Sequence, residues 1–351
     1  MEIESSKNIF GLDISQNYMR LIQLKKKNKD FLIRSFNEVK LNDGTIINGE
    51  IKNQDQMIEA VKKLVKTAQG DKIKTKNLVA VLPEPKTFIK VIEITIKNEK
   101  ENITKLIQEE MKNHIPLEVE DIYIDWQILS QNNNKTKIIL AAVQKAISDS
   151  YFDTLTKAGF IPIALEVEAI AITRALIKEK EEDLKKAKII IDFGATRTSL
   201  IIYDQKAVQF TVSLPISGNK ITETIATTLN LDMQKAEKAK IICGLDQQKC
   251  EGAILKILLT SIDNLAAQIK KLATFYRTNF SGSNEIAEIV ICGGGANLSQ
   301  IDKILTEKLQ IPTKIADPSI NLGKQKGINI PADKLLSYAT AIGLALRNWQ
   351  K

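Results

Sequence analysis

Apolar residues recur along the first eighty positions with two different periods, and each period predicts one type of element. Short apolar runs bounded by polar residues predict β-strands. The strands predicted in this way lie at residues 9–14, 18–24, 31–39 and 78–82. Between 54 and 68, apolar residues return every three to four positions, at Met57, Val61 and Leu64, which predicts a helix. The fourth strand ends at Pro83, because proline interrupts strand ladders and helices alike.

The stretch from about 87 to 160 has a pattern of its own and predicts an inserted subdomain. Its order is strand, helix, two strands and helix, and these elements are predicted at residues 88–94, 101–113, 122–130, 136–143 and 147–158. Segments 91–94 and 123–126 alternate apolar and polar residues, as half-buried strands do. Two explanations remain open for that alternation: packing inside the insertion, or a surface that a partner covers.

A charged run at 179–186 separates the first half of the chain from the second, and we interpret it as a solvated connection. The pattern beyond the insertion predicts a strand at 288–292 and helices at 167–178, 217–229, 232–242, 249–280, 298–309 and 333–349. In the last helix, Ala339, Ala341, Gly343 and Ala345 are small. Small side chains allow the backbone of a neighbouring helix to approach closely.

One short pattern occurs in both halves. Residues 9–17 read IFGLDISQN and residues 189–197 read IIIDFGATR, and an apolar run follows each copy. Each copy predicts a β-hairpin with a carboxylate, Asp13 or Asp192, at the edge of its turn. Turns rich in glycine, serine, threonine and asparagine present N–H and hydroxyl donors, which suit phosphate. Two such hairpins predict two similar domains that face each other.

A glycine turn supports this interpretation. The predicted strand at 288–292 continues directly into Gly293, Gly294, Gly295, Ala296 and Asn297. Glycines without a Cβ allow the backbone to pass close to a flat ligand, and they are also common in plain tight turns. Both explanations are open for this turn alone, and its order after two aspartate hairpins favours the ligand.

These motifs together resemble a known superfamily. Two phosphate hairpins followed by a glycine turn resemble the actin/hexokinase/heat-shock ATPase superfamily, its FtsA-like branch, and within that branch the PilM family of type IV pilus assembly proteins. The motifs that carry the resemblance are FGLDI at 10–14, LEVEA at 165–169 with RAL at 174–176, IDFGAT at 191–196, ICGGGA at 291–296 and YATAIGLA at 338–345. They span nearly the whole chain in the family's order.

The resemblance implies an α/β, actin-like two-lobed ATPase fold with an FtsA-type subdomain inserted in the first lobe. We expect the first lobe at 8–187 with a partner-binding insertion at 87–160, and the second lobe at 188–351 with a helical subdomain at about 217–285. In the resembled superfamily, the last helix connects the two lobes at the hinge.

The resemblance also implies a function. The expected protein is an ATP-binding cytoplasmic scaffold of type IV pilus assembly, or of related type II secretion or competence machinery. It would bind the N-terminal tail of a PilN-like inner-membrane protein and link it to the assembly motor ATPases. Self-association is a further expectation. The alternatives are a small-molecule kinase of the same superfamily, which needs an acceptor-activating aspartate, and an FtsA-like filament protein, which normally carries a C-terminal membrane helix.

The resemblance assigns the site residues as follows. Asp13 and Asp192 are expected to hold Mg²⁺ through water. The expected phosphate donors are Ser15, Gln16, Asn17, Gly194, Ala195, Thr196, Arg197 and Thr198. The expected adenosine contacts are Glu237, Lys240, Gly293, Gly294, Gly295, Ala296 and Asn297.

Glu168 is the candidate that orients the attacking water. Alternatives stay open for three of the assignments. Glu168 also fits a plain first-turn helix acid, Arg197 a partner of a surface carboxylate, and Glu237 with Lys240 an ordinary helical charge pair.

One departure from the family's pattern concerns turnover. The first hairpin of the family usually reads Gly-Leu-Asp-Ile-Gly-Ser, whereas Ser15 and Gln16 stand here in the last two places. A Cβ at Ser15 crowds a phosphate or requires a less common turn. We therefore expect nucleotide binding with slow hydrolysis at most. The single histidine, His114, precedes Pro116 by two residues and is interpreted as a helix-end residue, not a general base.

Composition limits the classes of partner and the cellular location that the sequence allows. The net charge is +8 from 50 basic and 42 acidic residues, but the lysines are dispersed and aromatics are 5%, so we expect no nucleic-acid partner. The sequence shows neither a signal peptide nor an apolar run long enough to span a bilayer, which predicts a cytoplasmic protein attached to the inner membrane through partners. The three cysteines, Cys243, Cys250 and Cys292, lack metal-ligand spacing and are expected to be reduced thiols.

Overall fold

The computed structural model describes residues 8–28, 30–95, 103–111, 119–132, 134–178, 185–325, 328 and 330–349. Its strands are β1 (Phe10–Ile14), β2 (Tyr18–Lys27), β3 (Asp30–Lys40), β4 (Ile46–Ile47), β5 (Glu50–Ile51), β6 (Gln69–Gly70), β7 (Asn77–Leu82), β8 (Thr87–Thr95), β9 (Ile122–Asn132), β10 (Lys135–Gln144), β11 (Ile161–Val167), β12 (Ala187–Phe193), β13 (Thr198–Asp204), β14 (Ala207–Leu214), β15 (Ile286–Cys292) and β16 (Thr313–Ile315). Its helices are α1 (Gln54–Lys66), α2 (Ile103–Met111), α3 (Lys145–Lys157), α4 (Glu168–Leu176), α5 (Gly218–Leu229), α6 (Met233–Cys243), α7 (Ala253–Asn279), α8 (Ile301–Leu309), α9 (Ala332–Leu335) and α10 (Ala339–Leu346).

The first sheet has six strands in the order β11-β7-β1-β2-β3-β6. β1 pairs antiparallel with β2 and parallel with β7, so it lies in the sheet interior. All five β1 residues are buried, which explains why this strand is almost continuously apolar in sequence. Helices α1 and α3 contribute Met57, Val61, Leu64, Tyr151 and Leu155 to the same core. The strands predicted at 9–14, 18–24, 31–39 and 78–82 and the helix at 54–68 are confirmed to within a few residues.

The second sheet has eight strands in the order β16-β15-β12-β13-β14-β8-β10-β9. Three of them, β8, β10 and β9, come from the predicted insertion, and they continue the sheet of the second half. The junction is a single antiparallel pair, Phe210 of β14 opposite Lys90 of β8. Within the insertion, β8 and β10 pair from Thr87–Val143 to Thr95–Lys135.

The insertion therefore contacts both halves. Its last helix, α3, packs into the core of the first sheet through Ile147, Tyr151 and Leu155. Its three strands and α2 form a small separate core that includes Ile92, Ile107 and Leu140. The expected order of elements is confirmed in the described residues, while the boundaries of the lobes and of the insertion stay predictions. The predicted helix at 101–113 is described from Ile103 to Met111, and His114 and residues 179–184 lie outside the described residues.

Helices α4 and α10 cross at very close range. A Cβ built on Gly343 of α10 would lie 1.8 Å from the carbonyl oxygen of Ala171 in α4. This confirms the expectation that small residues in the last helix allow close approach. The predicted single helix at 333–349 is instead α9, a short 3-10 turn, α10 and a second 3-10 turn.

An ion cluster around the buried Glu166 fixes this crossing. The Glu166 carboxylate, 4% exposed, accepts two hydrogen bonds from Arg174 and one from Arg347, at 2.5, 2.7 and 2.7 Å. Arg174 also donates to the Gly343 carbonyl at 2.9 Å. Removing one partner of a buried, hydrogen-bonded charge pair strongly destabilises a protein, because the other charge is left unpaired. The cluster therefore ties β11, α4 and the end of α10 together.

The helices predicted at 217–229, 232–242 and 249–280 are confirmed as α5, α6 and α7. The span Cys250–Asn279 is, in the described part of the chain, long and apolar enough by length and composition to cross a membrane, contrary to the expectation of no such run. One face of α7 instead joins the main core, through Leu258, Ile262, Leu265, Ile269 and Tyr276. Core helices of this length pass the same test, so it is weak evidence for a membrane span.

The expectation of three reduced cysteines is wrong in this structure. Cys243, at the end of α6, and Cys250 form a disulfide with their Cα atoms 5.8 Å apart. That separation lies in the range in which two cysteines can be bridged without moving the backbone. The two cysteines are seven residues apart in sequence. That spacing did not predict the pairing, because the turn between the two helices sets the distance between their Cα atoms. Cys292, on β15, is a buried free thiol.

Candidate functional site

The two aspartate hairpins face each other across a cavity of about 410 Å³. The first hairpin is β1–β2 and the second is β12–β13. Of the residues predicted from sequence, those lining the cavity are Ser15, Gln16, Asn17, Glu168, Asp192, Gly194, Ala195, Thr196 and Arg197. The duplicated motif thus brings its two turns to one place, although they lie about half the chain apart.

The first turn is built by its own serine. The Ser15 hydroxyl donates to the Tyr18 carbonyl at 2.9 Å, and the Tyr18 amide donates back to that hydroxyl at 3.3 Å. The Ser15 amide also donates to the Tyr18 carbonyl at 2.9 Å. Serine here closes the turn by local side-chain bonding, which a glycine could not supply. The Ser15 hydroxyl is therefore engaged within the turn.

Asp13 lies behind this turn and is 4% exposed. Its Oδ2 atom is 3.6 Å from an Arg20 guanidinium nitrogen, and Arg20 also donates to Glu38 at 2.8 Å. Its Oδ1 atom has no hydrogen-bond partner among the described residues. Burial raises the pKa of Asp13 from 3.8 to about 6, against the opposing effect of Arg20. A buried carboxylate oxygen without a hydrogen-bond partner is unfavourable, and a donor or a cation beside it would satisfy it.

The second turn holds Asp192 and Arg197. The Gly194 amide donates to the Arg197 carbonyl at 2.9 Å, and the amides of Gly218 and Asn219 bond the Gly194 and Ala195 carbonyls. Burial and then the Asp13 charge raise the pKa of Asp192 to about 6. The two aspartates from the two hairpins are thus close enough to repel each other.

Glu168 is the first residue of α4 and completes an acidic cluster. The Thr340 hydroxyl donates to its carboxylate at 3.3 Å. Burial raises the pKa of Glu168 well above its usual value, and the charges of Asp192, Asp13 and Glu84 raise it further. Glu168 is therefore more than a first-turn helix acid, because its carboxylate faces the other carboxylates of the cavity. A carboxylate with a raised pKa is suited to exchange protons with a nearby water.

Sequence reasoning missed Glu84 and several polar residues of the wall. The described cavity also has Asn48, Glu84, Tyr151, Ser199, Ser217, Asn219 and Lys220 in its lining. Burial raises the pKa of the Glu84 carboxyl, while the Ser213 hydroxyl, the Arg197 guanidinium and the Ser199 hydroxyl lower it. Glu84 stands between two prolines directly after a buried strand, and that position was a usable signal for a carboxylate at the end of the sheet.

The chemistry of this cluster fits a hydrated divalent cation. Among the described residues, no group of three acidic, histidine or cysteine side chains is close enough to bind a metal directly. Mg²⁺ keeps several of its waters, and those waters donate hydrogen bonds to carboxylates. The free Oδ1 of Asp13 and the raised pKa of Asp192 are the two features that such a cation would relieve.

The remaining predicted residues lie outside the cavity wall. Thr198 is fully buried, and its hydroxyl donates to the Ile216 carbonyl at 2.7 Å. Lys240 pairs with Glu237 at 2.6 Å and also donates to the Gly218 carbonyl and the Thr222 hydroxyl. The charge-pair explanation is therefore sufficient for Glu237 and Lys240, and Lys240 in addition bonds the first turns of α5.

The glycine turn lies against the end of β12. Gly293 has a φ of +78°, and a Cβ there would be 2.4 Å from an Asp192 carboxylate oxygen. A Cβ on Gly295 would be 2.5 Å from the Phe193 ring. Ala296 is buried, and the Asn297 side chain donates to the carbonyls of Gly294 and Asp333. Close packing on β12 is therefore one reason for these glycines, and it holds the turn beside Asp192.

Comparison with known proteins identifies the family. The family model described as "Type IV pilus assembly protein PilM" matches residues 11–349. The chain belongs to the PilM family of type IV pilus assembly proteins. A solved structure of a PilM–PilN type IV pilus biogenesis complex has a TM-score of 0.82 at 20% identity, covering 98% of this chain and 99% of that chain.

Other similarities confirm the actin-like two-lobed fold and the FtsA-like branch. EutJ from Carboxydothermus hydrogenoformans has a TM-score of 0.56 at 12% identity, with 96% of this chain and 88% of that chain covered. MreB5 of Spiroplasma citri bound to ADP has a TM-score of 0.54 at 14% identity, with 97% and 95% covered. The cell division protein FtsA of Pseudomonas aeruginosa is 25% identical over 203 residues, or 53% of this chain and 47% of FtsA. This PilM-family chain thus spans about half the length of the curated relative.

Proposed function

We propose that this PilM-family protein is a nucleotide-binding scaffold of type IV pilus assembly. Its partner would be the N-terminal cytoplasmic tail of a PilN-like inner-membrane protein, through which it associates with the membrane and with the assembly motors. The observation that carries the proposal is the family match over residues 11–349. The similarity to the chain in a PilM–PilN complex supports the choice of partner.

The proposed nucleotide is ATP with Mg²⁺. Asp13 and Asp192 would hold the hydrated cation, and the turns at 15–17 and 194–197 would bind the phosphates through amides and side chains. Glu168 would position a water. The adenosine would lie near the glycine turn at 293–297 and α6, which carries Glu237 and Lys240. The facing hairpins, the cavity between them and the orphaned Asp13 oxygen support these assignments.

Calorimetry of nucleotide-stripped protein tests this part of the proposal. We expect MgATP to bind and to raise the melting temperature, because a ligand that binds only the folded state stabilises it by mass action. Asp13→Ala and Asp192→Ala should each weaken binding. Asp153→Ala, at an exposed carboxylate of α3, is the matched control and should bind as the wild type does. Wild-type protein that binds neither ATP nor ADP would contradict the site.

Turnover should be slow. We expect hydrolysis orders of magnitude below the enzyme median of ~10 s⁻¹, because Ser15 carries a Cβ where the family usually has glycine. Ser15→Gly should raise the affinity or the rate if that Cβ crowds a phosphate. It also removes the bond between the Ser15 hydroxyl and the Tyr18 carbonyl, so its melting temperature must be measured alongside. A wild-type rate near the median that is lost in Glu168→Ala would favour a motor or kinase instead.

The proposed partner groove lies where the insertion meets the first lobe. Helix α3 contacts both β9 and β11, and large apolar side chains are exposed on all three elements. They are Tyr123 at 47%, Phe152 at 46%, Ile161 at 52% and Ile163 at 41%. Exposed apolar residues grouped around one helix are typical of a surface that binds a peptide through a few anchors.

Fluorescence polarisation with a labelled PilN-like N-terminal peptide tests the groove. We expect binding in the micromolar range, lost in the double variant Phe152→Ala/Ile163→Ser. Ile242→Ala is the control, since Ile242 is an isoleucine on α6 of the second lobe that is more exposed than Ile163, at 63% against 41%. Unchanged affinity in the folded double variant would place the partner site elsewhere, and loss in the control would indicate nonspecific apolar binding.

A further inference from the structure

The disulfide between Cys243 and Cys250 closes a short loop between α6 and α7, the disulfide loop (243–250), and no role assigned above explains it. Cys243 is 3% exposed, whereas Cys250 is an exposed residue. A thiolate from solution therefore reaches this pair from the Cys250 side. Exposed disulfides are reduced more readily than buried structural ones, and they are often regulatory. The position at the surface thus favours a bond that opens and closes.

The backbone beside Cys250 is held in an unfavourable conformation. Cys250 and Glu251 have φ values of +48° and +53°, and Gly252 follows with +69°. Residues with a Cβ rarely occupy this left-handed region, and two in succession need surrounding contacts that hold them there. The bond to Cys243 is one such contact. Opening the bond removes that constraint, so the loop gains a second, relaxed arrangement.

The disulfide loop lies directly against the segment that follows the glycine turn. A Cβ on Gly244 would be 2.6 Å from the Ser299 Cβ atom, so the two segments are in close contact. The Leu245 amide donates to the Ser299 carbonyl at 2.9 Å. The Leu298 amide in turn donates to the Gly295 carbonyl of the glycine turn at 3.1 Å. The position of this loop therefore affects the wall proposed for the adenosine.

The same loop is tied to the second hairpin through the end of α6. The Gly244 amide donates to the Lys240 carbonyl at 2.9 Å. The Lys240 ammonium donates to the Gly218 carbonyl at 3.1 Å. The Gly218 amide donates to the Gly194 carbonyl, in the turn of the second hairpin, at 3.0 Å. A short series of bonds thus joins the disulfide loop to a turn proposed to bind phosphate.

We propose that Cys243 and Cys250 form a reversible thiol–disulfide site that sets the affinity of the cavity for nucleotide. In the disulfide form, the loop holds α6 and the glycine turn in the arrangement described above. In the dithiol form, the loop relaxes and both walls become less ordered. Nucleotide then has to order them on binding, so it binds more weakly. The inference rests on the proposed function in one respect, that nucleotide binds in this cavity.

The reductant would be a dithiol. Its thiolate attacks the Cys250 sulfur, which forms a mixed disulfide and releases Cys243 as a thiolate that takes up a proton. The second thiolate of the reductant then attacks the reductant sulfur of the mixed disulfide and releases Cys250, which is protonated in turn. Two electrons and two protons pass from the reductant to the protein. The S–S bond between the cysteines breaks, and one S–S bond forms in the reductant.

Redox titration of the folded protein tests the site itself. The protein is equilibrated with mixtures of reduced and oxidised dithiothreitol, its free thiols are alkylated in denaturant, and the peptides are quantified by mass spectrometry. We expect Cys243 and Cys250 to titrate together while the reduced protein keeps a cooperative melt. Cys292 is a free thiol and serves as the internal control. Two free thiols at the most oxidising ratio, or a bond that is reduced only when the protein unfolds, would overturn the site.

Calorimetric titration with MgATP and MgADP tests the coupling. The oxidised protein should bind nucleotide at least about fivefold more tightly than the reduced protein, the lower end of ordinary coupling between sites. Cys250→Ser should bind as the reduced wild type does and should not respond to oxidant. Gln248→Ala, at an exposed residue of the same loop, is the matched control and should keep the redox response. Equal affinities of the oxidised and reduced wild type would overturn the coupling.

The reduction potential of the pair is the second readout. If nucleotide binds the disulfide form fivefold more tightly, saturating nucleotide must make the bond harder to reduce, which lowers the potential by about 20 mV. An unchanged potential would overturn the coupling while leaving the nucleotide site intact. A protein that binds neither nucleotide in either redox state would remove the proposed function and the coupling together, whereas the redox titration without nucleotide judges the thiol–disulfide site by itself.

Discussion

At the scale of single residues, the acidic cluster of the cavity lowers the free energy of unfolding of the nucleotide-free protein. Burial raises the pKa of Asp13 and of Asp192 from 3.8 to about 6. The folded state therefore binds a proton more tightly than the unfolded chain does. Between about pH 4 and 6, stability from these two groups falls as pH rises, and above about pH 6 the full penalty of the charged forms remains.

Asp192→Asn should reveal this penalty. In metal-free and nucleotide-free protein at pH 7.5 (roughly 2.5 units above the midpoint of that window), the variant should melt higher than the wild type, because asparagine carries no charge to bury. The difference should shrink towards pH 4, where Asp192 of the folded wild type is mainly protonated and uncharged. Differential scanning calorimetry across this range is the measurement, with Asp153→Asn as the exposed control. A variant that melts lower at every pH would contradict the electrostatic account.

Site residues were predictable where a motif repeats. The aspartates and turn residues at 13–17 and 192–197 follow from two similar strings, since similar strings fold into similar hairpins. Glu84 has no counterpart in the other half, and its meaning depends on Ser199 and Ser213, which approach only when the two sheets face each other. Thr198 differs from the turn residues, because strand alternation turns its buried side chain inward and its hydroxyl donates to the Ile216 carbonyl.

At the scale of elements, the crossing of α4 and α10 leaves no room for a side chain at residue 343. The Ala171 carbonyl occupies the space where residue 343 would place a Cβ, and the Arg174 guanidinium bonds the Gly343 carbonyl. Helices this close transmit movement as rigid pairs, since the packed backbones have no room to slide independently.

Gly343→Ala should therefore destabilise the protein severely. A methyl group 1.8 Å from a carbonyl oxygen forces the helices apart. Gly294→Ala is the matched control, because the nearest atom to its added Cβ is a Ser337 hydroxyl oxygen at 3.6 Å, an ordinary contact. Soluble yield and melting temperature should fall in the first variant and change little in the second. Equal melting temperatures would show that the crossing relaxes freely.

Element prediction failed where sheet context overrules local pattern. The pattern predicted no strand between the insertion and the helix at 167–178, yet β11 lies there and begins with Ile161 and Pro162. As the edge strand of the six-stranded sheet, β11 tolerates a residue without an amide proton. The pairing of β8 with β14 rests on one residue pair, Lys90 with Phe210. No sequence pattern predicts so short a contact between segments that lie far apart in the chain.

At the scale of the whole molecule, the insertion cannot be treated as a removable module. It supplies α3 to the first core and three strands to the second sheet. Deleting residues 87–160 would remove Tyr151 and Leu155 from a packed interior and expose the edge of β14. Loss of large core side chains costs several kcal/mol, about 3–5 for an aromatic residue, which is a large part of a typical folding free energy.

We therefore expect the deletion variant to be insoluble or to aggregate. A shorter deletion of 87–144 that retains α3 should recover more soluble protein, although β14 would still present an unpaired edge. Soluble yield and size-exclusion chromatography distinguish the two. If the long deletion is soluble, elutes as a monomer and melts cooperatively, α3 is dispensable for folding.

The position of α10 has a consequence for how the protein is made. β1 is translated long before α10, yet its Gly11 lies directly against the backbone of α10, at Ala341 and Ala345. Residues 339–346 are translated after both sheets. The first sheet therefore lacks this packing partner until residues 339–346 have been made. We expect nascent chains that end before residue 339 to expose the surface of β1 that α10 covers in the folded protein.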